Sequence, residues 1–390
     1  MDLEKWRADT PACENLIHFN NAGASLMPRL VQQAMLDYLQ LESSMGGYEA
    51  ADASSENIRG FYGAAARLLN CHSSNIAFTS SATNSFARAL SCIPFKTGDK
   101  ILIANEDYIS NQLAFLSLKK RFGVEIIRAA SLEEGGVDPD DVKRLMDIHH
   151  PALVSISHIP TNSGLVQPVE LIGQLCHERD ITYLVDACQS VGQLALDVNK
   201  IHCDFLSATF RKFLRGPRGA GFLFVSDRIL KKGWEPLFID MRGADWSAPD
   251  QYQIRQDAIR FEDWEIPYAI MFGAKVAMDY ALQVGLQTIE TRNKGLSELL
   301  RHQLRDIGLT PLDRGKKLSS IVTLYHPGWD DQFIMNALHS KKINASISHG
   351  NFALIDFKKK GVPWALRLSP HYYNTEEEIG KVVEVLRDLL

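Results

Sequence analysis

Lys212 lies in the segment from Ser207 to Gly221, SATFRKFLRGPRGAG, which carries four cations (Arg211, Lys212, Arg215 and Arg218) and three glycines between two apolar runs. No acidic residue within it offsets the charge, so the loop suits an anionic ligand, the alternative being a solvated basic loop. Its glycine spacing matches neither a Walker phosphate loop nor a G-x-G-x-x-G dinucleotide fingerprint. Asp186 closes the apolar run ITYLVD, where a carboxylate is costly unless it meets a cation or a strong donor, or caps a turn. Ser80, Ser81, Ala82, Thr83 and Asn84 follow the run NIAFT and open a helical stretch. Free N–H groups and hydroxyls there form an anion site, or the serines serve as an ordinary N-cap. An amine, a carboxylate and a phosphate cradle are what pyridoxal 5'-phosphate requires. The lysine forms the Schiff base, the acid keeps the pyridine nitrogen protonated, and the cradle holds the phosphate. Burial and the adjacent Arg211 would depress the lysine's pKa and favour the neutral nucleophile.

Seven short apolar runs position these residues: 75–79, 100–104, 124–129, 152–157, 181–186, 203–209 and 220–226. Between them, 83–92, 111–121, 138–148 and 168–179 carry helical spacing. Continuously apolar strands separated by amphipathic helices require a sheet covered on both faces, hence a doubly wound α/β domain with a mostly parallel sheet. Ligands of such sheets bind at the carboxyl ends of the strands, which is where the three elements fall. The C-terminal part reads as α+β: a long helix over 265–306, a strand at 320–325, a helix near 331–340, a hairpin-like pair around 344–357, a strand at 364–369 and a last helix from about 375. Thr375 and Glu378 form a capping box that starts it.

The chain has 390 residues with 42 Lys+Arg against 47 Asp+Glu, a formal charge of −5 that argues against a nucleic-acid partner. It has no apolar run long enough for a membrane span and no signal-like N-terminus. The six cysteines show no C-x-x-C spacing, so the reading is free thiols in a cytoplasmic protein, with no disulfide framework and no metal.

The strings YLVDACQSVGQ, DFLSATFRKFLRGPRGAGFLFV and LRLSPHYYNTEEEI resemble the motifs of class V aminotransferases and cysteine desulfurase-like enzymes of pyridoxal-phosphate fold type I. The similarity is greatest to the isopenicillin N epimerase-like and ergothioneine-type lyase branch. The resemblance implies that Lys212 carries the cofactor, Asp186 pairs with the ring nitrogen and Gln189 reaches the ring hydroxyl. It also implies that Ala82, Thr83, Thr209 and Arg211 hold the phosphate. Tyr108 in NEDYISN stands in for the family's stacked histidine. Asn162, or its neighbour Thr161, supplies a donor to the ring oxygen. Arg367 clamps the substrate carboxylate, and Asn21 and Ala22, beside Asn20, line the facing wall. It further implies a homodimer and three divisions: an arm over 1–20 packing on the small domain, a cofactor-binding domain over 21–264 and a small α+β domain over 265–390.

Two departures narrow the reaction. Desulfurases use a cysteine on a C-terminal loop, and the matching stretch SISHGNFAL has none; no cysteine follows Cys203. RFEDWE places Trp264 and Glu265 where relatives have a threonine that contacts the neighbouring subunit's phosphate. His349 and His371 read as structural or loop histidines, the alternative being proton carriers. Transamination of an amino acid is therefore the leading expectation and persulfide-forming desulfurase chemistry is disfavoured. A C–S lyase or a racemase/epimerase is the alternative within the class, and a silent scaffold is the alternative outside it.

Overall fold

The computed structural model describes residues 2–390. After a short strand β1 (Ile17–His18), one sheet gathers β2 (Ile76–Thr79), β3 (Lys100–Ile103), β4 (Glu125–Arg128), β5 (Leu153–Ser157), β6 (Thr182–Asp186), β7 (Phe205–Thr209) and β8 (Gly221–Val225). The strand order is β2-β8-β7-β6-β5-β3-β4. Neighbours are parallel except at β8, which runs against both β2 and β7. The continuous apolar runs are explained by packing on both faces. Leu102, Val154, Val185 and Leu206 enter one core cluster, while Ile101, Leu153, Leu184 and Phe205 enter another. Each fully buried aliphatic side chain contributes about 1.5–3 kcal/mol. The edge strand β4 is the exception, with Glu125 and Arg128 exposed.

The connecting helices, Ala82–Ser91, Ile109–Phe122, Pro139–His149 and Val169–Glu178, start and end within two residues of the expected stretches. The strand order reverses between β3 and β5, and this switch point opens the crevice in which ligands of such sheets sit. Helices Arg29–Met45 and Ser55–Leu69 pack on one face together with Tyr268–Val284.

A hairpin of β9 (Ala244–Ala248) and β10 (Gln251–Ile254) follows the sheet. Its mostly exposed, mixed sequence gave no alternation from which to read it. In the C-terminal part, β11 (Val322–Leu324), β13 (Ser346–His349) and β14 (Trp364–Leu368) form an antiparallel sheet with β14 in the centre. Between them β12 (Ile343–Asn344) pairs in parallel with β1. Phe19 thereby joins a cluster with Leu296, Leu300, Leu366 and Ile379, whereas Trp6 belongs to the cluster of the large sheet.

Three expectations need correction. The single helix over 265–306 is two, Tyr268–Val284 and Leu286–Asp306, broken at Gly285, whose φ of +91° only glycine adopts freely. The hairpin around 344–357 does not form: β12 and β13 pair with different partners, and Leu354–Lys360 is a helix braced by a buried Lys360–Asp356 pair at 2.8 Å. The four cations of the basic loop do not converge. Arg218 is exposed, and Arg215 turns inward, where Tyr372 and Thr10 accept from its guanidinium.

Candidate active site

The carboxyl edge of the sheet collects Ser157 from β5, Asp186 from β6, Thr209 from β7 and, because β8 is antiparallel, Gly221 from its first residue. A cavity there is lined by Ser81, Ala82, Thr83, Tyr108, Thr161, Asp186, Gln189, Thr209, Arg211 and Lys212, with Ser157, Ile159 and Cys188 beneath. A larger hollow of about 630 Å³, near Asn70, His177 and His202, lies at the opposite, amino ends of β6 and β7.

The helix start is built by Ser81, whose hydroxyl accepts from the Asn84 N–H at 3.1 Å, so the capping role is present. It leaves the Ala82 and Thr83 N–H groups without a partner among the described residues, and both residues line the cavity. A Cβ on Gly221 would come within 2.6 Å of the Ser81 carbonyl carbon and 2.8 Å of the Ala82 nitrogen, so only glycine lets β8 lie against this helix start.

Lys212 is buried and makes no hydrogen bond or ion pair among the described residues; its Nζ stands 5.9 Å from the centre of the Tyr108 ring. Its pKa is lowered to about 8, chiefly by burial, with Arg211 adding to the shift and Cys188 and Asp186 opposing it. Asp186 is fixed at both oxygens. Oδ1 accepts from the Cys188 N–H at 2.9 Å and Oδ2 from the Asn111 amide at 2.9 Å. Gln189 donates to the Thr161 hydroxyl at 2.7 Å and to the Ala22 carbonyl at 3.0 Å, while its own Oε1 is buried without a partner.

Thr161 is the hinge between cavity and substrate side, because Arg367 donates to the same hydroxyl at 2.8 Å. Arg367 also reaches Asn20 Oδ1 at 3.3 Å and keeps a buried Nε–H unpaired. The residues anticipated around the lysine, Ala82, Thr83, Tyr108, Asp186, Gln189, Thr209 and Arg211, therefore share one cavity with it. Asn162 does not: it is Thr161 that faces in, and the Asn162 amide donates to the Phe352 carbonyl at 3.2 Å. Arg211 lines the cavity but also donates to the Gly23 carbonyl, on the loop expected to face the substrate. The Asn21 side chain is consumed internally, donating to the Ser369 carbonyl at 2.7 Å and accepting from the Tyr373 hydroxyl at 2.5 Å. His371 lies in the core between the Phe213 carbonyl and the Asn293 side-chain amide, one ring nitrogen against each, which accounts for it structurally.

The sequence reading overlooked Asn111, Asp107, Ser157 and Cys188.

The aminotransferase class-V family matches this chain over residues 17–382. The chain belongs to that family of pyridoxal-phosphate enzymes. Among relatives of this class-V protein, a probable cysteine desulfurase of Methanothermobacter thermautotrophicus is 27% identical, the match spanning 100% of this chain and 98% of the relative. A probable hercynylcysteine sulfoxide lyase of Mycobacterium tuberculosis is 25% identical over 98% of this chain and 92% of its own. In fold, the apo cysteine desulfurase of Thermococcus onnurineus superimposes with a TM-score of 0.92 at 24% identity, covering 99% and 97% of the two chains.

The donor set suits the family's cofactor. The cavity offers an unpaired lysine amine, two free helix N–H groups for an anion and an orphaned Gln189 oxygen on the wall. Because a neutral amine is needed to attack an aldehyde, capture of pyridoxal phosphate by the apoprotein should accelerate with rising pH and level off above a midpoint near pH 8. Rates of imine absorbance growth across neutral and alkaline pH check this. A midpoint near the ordinary lysine value of 10.5 would show the amine to be solvated instead.

Proposed function

We propose that the protein is a pyridoxal-phosphate-dependent aminotransferase acting on an α-amino acid, with Lys212 both anchoring the cofactor and moving the α-proton. The observation that carries the reading is the shared cavity of Lys212 and Asp186, joined through Thr161 to Arg367. When bound, the cofactor supplies an electron sink for the bond broken at Cα. Asp186, held by two donors, would present a fixed carboxylate to the ring nitrogen and keep a proton there. Ala82, Thr83 and Thr209 would hold the phosphate, with Arg211 beside them, and Tyr108 would stack on the ring. Gln189 and Thr161 serve the ring-oxygen side. Lys212 would hold the cofactor's aldehyde and, once free, would take the α-proton and return it, as its depressed pKa allows near neutral pH.

Arg367 binds the α-carboxylate through its planar fork, braced by Thr161 and Asn20. Lysine at this position keeps the charge but not the fork. Arg367→Lys should therefore raise KM for the amino acid roughly 10–100-fold with a smaller change in kcat and unchanged cofactor uptake. Steady-state kinetics on one responsive amino acid measure it; an unaltered KM would move the carboxylate site elsewhere.

C–S cleavage of a sulfur-containing amino acid is the second reading, favoured by the sulfoxide-lyase name of the mycobacterial relative. A persulfide route is not supported even though other relatives are named desulfurases. Residues 346–354 hold no thiol, and burial keeps the thiol of Cys188, the cysteine in the cavity, protonated. Incubation with a panel of amino acids separates the readings. Conversion of the bound cofactor to its amine form, reversed by oxo acids, marks transamination, whereas release of pyruvate with a sulfur product marks lysis.

A second copy of the chain is the proposed partner. Large apolar side chains left exposed concentrate between residues 237 and 264, among them Phe238 at 84% and Trp246 at 81%. No helix among the described residues is long and apolar enough to cross a membrane.

A further inference from the structure

Behind Asp186 stands a second carboxylate that the scheme above does not use. Asp107 follows β3, and the Asn111 side chain lies between the two acids. One amide nitrogen, Asn111 Nδ2, donates to Asp186 Oδ2 at 2.9 Å and to Asp107 Oδ1 at 3.0 Å. Ser157, which pairs with Asp186 across β5 and β6, donates to that same Asp107 oxygen at 2.6 Å. The other Asp107 oxygen accepts from Gln112 Nε2 at 2.8 Å, and Gln112 Oε1 accepts from the exposed Arg128 at 2.8 Å. A continuous chain of hydrogen bonds thus runs from a surface guanidinium to the acid in the cavity.

Resting on the pyridoxal-phosphate reading, we propose that Asp107 is a positioning residue for Asp186, pinning the Asn111 amide so that the Asp186 carboxylate is held toward the cofactor's ring nitrogen. A primary amide is nearly symmetric in shape, and either end fits the same space. With Asp107 present, the nitrogen end must face both acids, since the oxygen end would oppose two carboxylates. With Asp107 neutralised or removed, one of the two acceptors that hold the amide is lost and only Asp186 itself still orients it, so the Asp186 carboxylate is held less firmly. Asp107 also adds negative charge behind Asp186, which strengthens the demand for a proton on the ring. The Asp107 carboxyl is raised to about 6, chiefly by burial with Asp186 adding to it and three side-chain donors opposing, so it is mostly charged in neutral solution.

The test compares apoprotein binding of pyridoxal phosphate with binding of its 1-deaza analogue, in which a C–H replaces the ring nitrogen. Both aldehydes bond to the same lysine, and only one of them meets Asp186. Asp107→Asn should weaken the pyridine form roughly tenfold relative to the deaza form, whose affinity stays unchanged. Asn111→Ala, which cuts the bridge while keeping both acids, should shift the ratio in the same direction. A ratio unchanged in both variants overturns the inference, and so does an equal weakening of both ligands, the mark of a merely structural role. A wild-type apoprotein that takes up neither aldehyde overturns the cofactor reading itself, and is told apart because the failure precedes any substitution.

Discussion

Lys212→Ala is expected to lose at least about three orders of magnitude in kcat/KM, and with it the visible absorbance of a lysine-bound aldehyde. The loss has two sources that act as a unit. The amine is the anchor for the cofactor, and on release it is the base that handles the substrate's α-proton. No second lysine lines the cavity, so neither role has a substitute. Cofactor affinity should fall less than activity, because Ala82, Thr83, Asp186 and Gln189 still meet the phosphate and the ring. Added small amines should restore part of the proton transfer, since they re-enter a space the missing side chain vacates. A variant that kept wild-type turnover would contradict the assignment of Lys212.

The second large effect is on stability. Arg215→Ala should destabilise the protein by about 3–5 kcal/mol, read as a lowered denaturant midpoint with cofactor uptake preserved in the folded fraction. Arg215 is 1% exposed, and its fork ties distant parts of the chain together. Its Nε donates to the Leu26 carbonyl at 3.0 Å, and Nη1 donates to the Tyr372 hydroxyl at 2.7 Å. Nη2 donates to the Thr10 hydroxyl. The guanidinium also lies 4.2 Å from the centre of the Tyr373 ring and 5.2 Å from that of Tyr372. Removal strands these acceptors and leaves a cavity among aromatics. Its backbone φ of +60° is strained for any residue with a Cβ, so alanine keeps that cost constant and isolates the side chain. Lysine should not rescue, because one ammonium cannot serve three separated acceptors. A midpoint within a few tenths of wild type would show that the network contributes little.

The same arginine marks where reading a sequence stops. Four cations in one loop look alike when only spacing is available, yet Arg215 turns inward because Tyr372, 157 residues away, waits for it. The strands, by contrast, were legible because a sheet covered on both faces demands unbroken apolar runs, and β5 to β8 are buried at every position. Asp186 and Lys212 were legible for a related reason. A charge at the tip of such a run, or in the loop just beyond it, must be met by a donor, a counter-charge or a ligand, so its presence marks a place to look for chemistry. Asn111 and Ser157 carry no such signature, since amides and hydroxyls are ordinary in helix starts and strand ends. The choice between Thr161 and Asn162 hung on a single residue of register in a turn, which spacing does not fix. The break at Gly285 was missed because the apolar periodicity resumes directly beyond it.

The most direct test of the account is chemical and needs no substrate. Holoprotein reduced with borohydride, digested and analysed by peptide mass spectrometry should carry one pyridoxyl phosphate group, on the peptide containing Lys212. Cofactor-saturated protein whose Lys212 peptide emerged unmodified, or whose label sat on another lysine, would contradict the account at its root.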